Sequence, residues 1–335
     1  MQTLKKTILS GIQPSNVLHL GNYLGAVRNW LGMQDEYNSF YMMVDLHAIT
    51  VAQDPAQLRE ASYLGIATYL AAGLDPEKVT LFLQSHVPAH SQLAWMLTCS
   101  AYIGELSRMT QYKDKTQKHG QNIPAGLFVY PCLMAADILL YQADLVPVGD
   151  DQKQHIELTR NLAERLNNRC EDTLFRVPEP FIGPKGKRVM DLQEPTNKMS
   201  KSSQNQKGVV YLTDTDKQIS KKLKSAVTDS GSEFGSYENA SPGLRNLIDI
   251  LAAIRDKDHQ TIASEFEGKQ YGHLKVAAAD AVRDLIAPMR DKANQLLDDK
   301  GYLDQVLKSG AERANEVASK TLKKVSDAFG FIAPI

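Results

Sequence analysis

In the first half of the chain, short apolar runs alternate with longer stretches of helical spacing. Lys6–Ser10 (KTILS) reads as a strand. Leu20–Gln34 carries Leu20, Tyr23, Leu24, Val27, Trp30 and Leu31 on one stripe, which predicts a helix. Phe40–Leu46 (FYMMVDL) is a continuous apolar run, the mark of a strand covered on both faces. Pro55 opens the next helix at its first turn and Gly73 closes it. Val79–Gln84 is a third buried strand. This β-α-β-α-β order predicts a parallel sheet with right-handed crossovers, whose ligands bind beyond the carboxyl ends of the strands. Ser10–Ser15 and Asp45–His47 lie at such ends.

Pro88–Asp150 reads as mostly helical. A Gly/Pro/Lys-rich stretch, Phe181–Arg188, leads into a polar loop, Glu194–Gly208. Beyond it Asp216–Val227, Pro242–Ile254, Leu274–Lys300 and Gly310–Phe329 all have helical spacing. The expected organisation is a Rossmann-like, doubly wound α/β domain over 1–195 and a helical region over 196–335.

Composition narrows the function. The 335 residues hold 38 Lys+Arg against 39 Asp+Glu, a net charge of −1, without the basic excess that coating DNA demands. A local nucleic-acid surface stays open. Cys99, Cys132 and Cys170 lie too far apart for a CxxC pair, a metal-ligand spacing or a disulfide framework. No metal-ligand set is expected. No apolar stretch is long enough to span a membrane, and the N-terminus lacks a signal peptide's apolar region, so a cytoplasmic protein is expected.

Two motifs carry the chemistry. In Gly11–Asn22 (GIQPSNVLHLGN) a strand ends, the chain turns through Pro14, and a helix begins near Leu20. That geometry aims backbone N–H groups and a helix N-terminus at a ligand, which favours phosphate; the plain alternative is a strand-to-helix turn with a buried His19. The second motif is Lys198-Met199-Ser200-Lys201-Ser202 in a Ser/Gln/Asn-rich loop. Two lysines three apart on a loop suit a polyphosphate, although for two lysines alone a solvated basic loop is usually the better reading. Chance produces that pentapeptide only about once in 10⁴ chains of this length, which favours the phosphate reading.

His19-Leu20-Gly21-Asn22 and Lys198–Ser202 resemble the HIGH and KMSKS motifs of class I aminoacyl-tRNA synthetases. The longer stretches GIQPSNVLHLGNYLGA, VDLHAIT, QSHVPAH, GELSRMTQYKDK, MAADILLYQADLVPVGDDQKQHIELTR and EPTNKMSKS resemble the bacterial tryptophanyl branch, in order and spacing, from about Ile8 to Phe331. Four departures stand out. Asn22 replaces the last His of HIGH, as is usual in that branch. Leu46 and Leu9 stand where relatives often have Gln and an aromatic. Ser203-Gln204 follows KMSKS where an acidic residue is common.

The resemblance implies a tryptophan–tRNA ligase that activates L-tryptophan with ATP and Mg²⁺ and transfers it to tRNA(Trp), working as a homodimer. It implies catalytic roles for His19, Asn22, Lys198 and Lys201. It implies ATP contacts from Gln13, Pro14, Ser15, Gly21, Asn22, Gly149, Asp150, Asp151, Val189 and Lys198-Met199-Ser200-Lys201-Ser202. Tryptophan would meet Asp137, Tyr130, Met134, Gln152 and His47, with Asp137 accepting from the indole N–H. Independently, Tyr130, Met134, Asp137 and Tyr141 fall on one helix face, and Asp137 is the only charge within Leu133–Leu140. An ionised carboxylate is acceptor-only and suits a lone donor, while a solvated Asp137 is the plain alternative. Asp150 or Asp151 also suits a helix N-cap.

Weaker candidates for phosphate contact are Lys113 and Lys115, and the patch Lys217, Lys221, Lys222 and Lys224; solvated faces explain both. Leu93, Trp95, Met96, Leu97, Tyr102, Ile103 and Leu106 give Ser91–Arg108 more apolar surface than one sheet face needs, which suits a two-fold mate. The rival readings are a tyrosyl enzyme of the same class and a non-catalytic paralogue that binds tRNA or a signalling partner.

Overall fold

The computed structural model describes residues 5–14, 18–113, 123–149, 152–181, 188–201 and 203–333. Five strands, β1 (Thr7–Ile12), β2 (Asn38–Met43), β3 (Thr80–Leu83), β4 (Leu145–Pro147) and β5 (Glu179–Phe181), form one parallel sheet in the order β3-β2-β1-β4-β5. The chain steps outward from β1 to β3, then returns to the other side of β1. Strand order therefore reverses between β1 and β4, where doubly wound sheets hold their ligands. The Thr7 N–H donates to Asp144 Oδ2 at 2.7 Å and ties the two central strands at their start.

Helix α1 runs from Leu20 to Met33 as predicted, but Tyr23–Val27 forms a π-helical turn between the α-helical stretches Leu20–Asn22 and Arg28–Met33. Strand β2 ends at Met43 rather than running on to Leu46. A short helix, α2 (Asp45–Ala48), takes over because Asp45 turns the chain. Its Oδ1 accepts from the Leu46 and Ser85 N–H groups, and Ser85 Oγ donates to Oδ2. Helix α3 (Pro55–Ala72) has Asp54 as N-cap, Pro55 at its first turn and Gly73 at φ 112° as its C-cap.

The middle segment holds α4 (Ala89–Ser100), α5 (Ile103–Ser107), α6 (Gly126–Leu140) and α7 (Lys153–Cys170). The helical region follows with α8 (Asp216–Lys224), α9 (Pro242–Arg255), α10 (His259–Ser264), α11 (Tyr271–Asp298) and α12 (Lys300–Ala328). Helix α12 starts ten residues before the predicted Gly310, capped by Asp299, whose side chain accepts from the Tyr302 N–H. It packs back along the edge strand β3. Arg313 donates to the Pro76 and Val79 carbonyls and Asn315 to that of His86. One apolar cluster accordingly spans both halves of the chain, from Ile8 and Leu20 to Leu247, Val282 and Leu307.

Candidate active site

The first motif lies at the switch point. Beyond β1, Gln13 is exposed and Pro14 buried; Ser15 is outside the described residues. His19 N-caps α1 reciprocally with Asn22. The Asn22 N–H donates to His19 Nδ1 at 3.3 Å, and the His19 N–H to Asn22 Oδ1 at 3.2 Å. With Nδ1 accepting, the ring proton belongs on Nε2. Gly21 leaves little room: a Cβ there would sit 3.1 Å from the His19 ring and 3.6 Å from the Val189 side chain.

The chain following the second motif comes back to the first. Leu20 N donates to Val210 O and Leu212 N to Leu18 O, both at 2.8 Å, and His19 forms an antiparallel bridge with Tyr211. Upstream, Met199 N donates to Val189 O at 3.0 Å, and Met190 bridges Lys198. Met199 is buried and roots the loop in the apolar cluster. Lys198 is exposed, and Ser200 and Lys201 are half-buried; Ser202 is outside the described residues. The structure therefore brings His19, Gly21, Asn22, Val189, Lys198, Met199 and Lys201 into one locality.

The electrostatics follow from this proximity. Burial, then the charges of Lys201 and Lys198, push His19 down from 6.5 to about 4. His19 is therefore neutral near pH 7, with an Nε2–H donor. Burial also lowers the Lys201 ammonium. A desolvated cation of this kind interacts more strongly with a phosphate than one in bulk water.

On the other side of the switch point, Gly149 follows β4 and is exposed. Its carbonyl accepts from the Gln152 N–H at 3.0 Å, just before α7. Asp150 and Asp151 lie outside the described residues.

Asp137 is buried rather than solvated, at 3% exposure. Oδ1 accepts from Gln84 Nε2 at 2.7 Å and sits 2.7 Å from His90 Nδ1; Oδ2 sits 2.8 Å from His47 Nε2. Burial alone would raise its pKa, but the hydrogen bonds and charges of His47 and His90 outweigh it and hold the carboxyl at about 2. Asp137 is thus an ionised acceptor. The His47 ring meets Tyr130 edge-on, with centroids 6.2 Å apart. Tyr130 lies 2.8 Å from His155 Nε2 and 3.2 Å from Gln111 Oε1, and burial pushes its phenol up to about 12, so it stays protonated. His47, Tyr130 and Asp137 form one cluster. Met134 and Gln152 are half-buried.

Sequence reasoning had not singled out Gln84 and His90, which complete this cluster. Both are fully buried polar residues in a stretch that begins at the carboxyl end of β3, and that placement was the available signal. Among the weaker candidates, Lys222 pairs with the buried Asp214 at 2.6 Å, so it braces its own fold, while Lys217, Lys221 and Lys224 are exposed. Lys113 is exposed and Lys115 lies outside the described residues. Among the described residues no group of three or more His, Cys, Asp or Glu is placed to hold a metal ion, and no helix is long and apolar enough to cross a membrane.

Residues 1–287 match the family model described as tRNA synthetases class I (W and Y). The chain is 52% identical over 332 residues to the tryptophan–tRNA ligase of Clostridium tetani, covering 99% of this chain and 98% of that one. Its fold is similar to tryptophanyl-tRNA synthetase from Mycoplasma pneumoniae (TM-score 0.87, 38% identity, 98% and 99% of the two chains). It is equally similar to that from Campylobacter jejuni complexed with ADP and tryptophan (TM-score 0.87, 34% identity, 97% and 100%).

Proposed function

The chain belongs to the class I tRNA synthetases of the W and Y family, and from that premise we propose how its residues carry out the reaction of a tryptophan–tRNA ligase. In the first step a tryptophan carboxylate oxygen attacks the α-phosphorus of ATP. The bond between the α-phosphorus and the α,β-bridging oxygen breaks, pyrophosphate leaves, and tryptophanyl-adenylate forms. In the second step a ribose hydroxyl at the 3′ end of tRNA(Trp) attacks the carbonyl of that mixed anhydride, and AMP leaves.

No protein nucleophile is needed, so catalysis consists of positioning and of stabilising charge on the phosphates. Neutral His19 donates from Nε2. Asn22 both fixes that tautomer and offers its own amide. Lys198 and Lys201 meet the departing pyrophosphate from the loop. Gln13, Pro14, Ser15, Gly21, Val189, Met199, Ser200 and Ser202 line the phosphate and adenine side, and Gly149, Asp150 and Asp151 the ribose side. Mg²⁺ enters with the nucleotide, held by phosphate oxygens and water, in keeping with a donor set rich in N–H and ammonium groups. Asp137 takes the indole N–H, Met134 packs on the ring, and Tyr130, His47 and Gln152 close the amino-acid end.

The observation that carries this reading is the pairing of His19 with Tyr211 and of Met190 with Lys198, which unites the two motifs over the switch point. We extend it to a division of labour at 195/196, with the helical region reading the anticodon, and to a cytoplasmic homodimer. ATP–pyrophosphate exchange with each amino acid tests the chemistry. Exchange dependent on tryptophan alone is expected. Exchange supported equally by tyrosine, or by no amino acid, would overturn it.

A further inference from the structure

The loop bearing Lys198 and Lys201 springs from a narrow neck, and one side chain touches both of its ends. The Asp191 N–H donates to Asn197 O on the entering side, and Leu192 N donates to Gly208 O on the leaving side, both at 2.9 Å. The neck is pinned from outside. Asn246 of α9 exchanges two 2.9 Å hydrogen bonds with the backbone of Met190, and Val227 N donates to Leu192 O.

Asp191 is 2% exposed. Its Oδ1 accepts from Gln193 N at 2.8 Å and Glu194 N at 3.1 Å. Gly208 packs so tightly on this carboxylate that a Cβ there would lie 1.8 Å from Oδ1. Oδ2, however, is buried with no hydrogen-bond partner among the described residues. A buried, unsatisfied carboxylate oxygen is costly and calls for a reason.

That reason lies in the adjoining cavity of about 390 Å³, lined by Asp191, Glu194, Asn197, Lys198, Ser200, Ser203 and Gln204. Lys198 is the only cation among the described residues of this lining. Here its ammonium makes no hydrogen bond or ion pair among the described residues, and its charge is felt at His19. We propose that Asp191 is a positioning residue whose Oδ2, unpartnered among the described residues, competes with the phosphates of ATP for the Lys198 ammonium across this cavity. The loop then has two rests for one lysine, on the neck carboxylate or on the nucleotide. The inference builds on the reading of Lys198 as a phosphate contact.

The expected signature is a split between KM and kcat. Asp191→Asn keeps the oxygen that accepts from Gln193 and Glu194 but removes the charge. KM for ATP in the exchange reaction should fall about twofold to fivefold, as for loss of a partly exposed ion pair, with kcat at saturating ATP unchanged. A purely structural Asp191 would lower kcat and thermal stability instead. In a Lys198→Gln background the Asp191→Asn change should have no further effect on KM for ATP. Additive effects, or an unchanged KM in the single Asp191 variant, would overturn the proposal. Asp191→Ser serves as the second variant should Asn not fold. If Lys198→Gln alone leaves KM and kcat for ATP untouched, the phosphate reading of the loop fails first, a result distinct from additivity.

Discussion

His90 Nδ1 lies 2.7 Å from Asp137 Oδ1, and its Nε2 lies 2.8 Å from the Tyr141 hydroxyl. Asp137 is ionised and only accepts, so Nδ1 carries the proton and Nε2 accepts from Tyr141. Gln84, His90 and His47 then occupy three of the roughly four lone-pair positions of the carboxylate, leaving about one for a further donor. An indole has one N–H to fill it.

Asp137→Ala would strand three buried donors and endanger the fold, so Asp137→Asn is the cleaner probe. Loss of the charged acceptor should raise KM for tryptophan by the equivalent of about 1–3 kcal/mol. The penalty should shrink for a sulfur analogue lacking the N–H. Equal penalties for both amino acids would mean that Asp137 does not read the ring.

His19 makes acid stability testable. Its folded pKa, about 4, lies below the ordinary 6.5. Between those values the unfolded chain takes up a proton that the folded chain refuses. The contribution is therefore complete above about pH 6.5 and is lost as pH falls toward 4, to a total of about 3 kcal/mol. Against a His19→Asn variant, the stability advantage of the parent in urea titrations should narrow across that window. A difference that stays constant from pH 7 to 4 would contradict the shifted His19.

Strands β1 to β3 were legible because buried parallel strands leave continuous apolar runs and Pro55 and Gly73 punctuate α3, whereas β5, three residues with Pro180 at its centre, leaves no such run. The errors have local causes. The run through Val44 looked like strand, but Asp45 turns the chain by capping two N–H groups from Leu46 and Ser85. Helix α12 seemed to begin at Gly310 because glycine reads as a breaker, whereas here it serves close packing. The π-turn at Tyr23–Val27 leaves no periodic signature over five residues. In the site, each motif was visible on its own. Their meeting depends on Tyr211 and Val210, backbone partners that any residue type could supply, so only the resemblance foretold it. His90 joins Asp137 from a different helix, and no spacing rule links them.

Gly310 itself gives a stability test. A Cβ there would lie 1.9 Å from the Leu81 carbonyl oxygen, backbone against backbone. Helix propensity favours Ala by about 1 kcal/mol, but the clash forces α12 off β3 and should dominate. Gly310→Ala should destabilise by about 1–3 kcal/mol. Gly32, with open space around its Cβ position, is the contrast, and Gly32→Ala should stabilise by about 0.5–1 kcal/mol. Thermal unfolding of both variants decides the matter, and equal signs would remove the packing argument.

The apolar surplus of Ser91–Arg108 divides once the chain is folded. Leu93, Met96, Leu97 and Leu106 are buried within it, but Trp95, Tyr102 and Ile103 are 69%, 63% and 75% exposed. Arg165 stacks over the Tyr102 ring at 4.2 Å and rims this face with charge. Aromatic anchors beside an Arg are the composition of an interface centre, and the same patch on two copies gives an isologous contact. If the proposed homodimer pairs through this patch, Trp95→Glu should bury an unpaired charge at the contact and shift the protein to monomer in light scattering, while circular dichroism stays at the parent value. If tRNA spans both subunits, the monomer should lose tRNA charging. Two parents, one carrying Lys201→Ala and one defective in the helical region, should recover charging as co-expressed heterodimers that neither shows alone. A parent protein that is monomeric at working concentration and fully active in charging would end the cross-subunit model and leave the chemistry of His19, Lys201 and Asp137 intact.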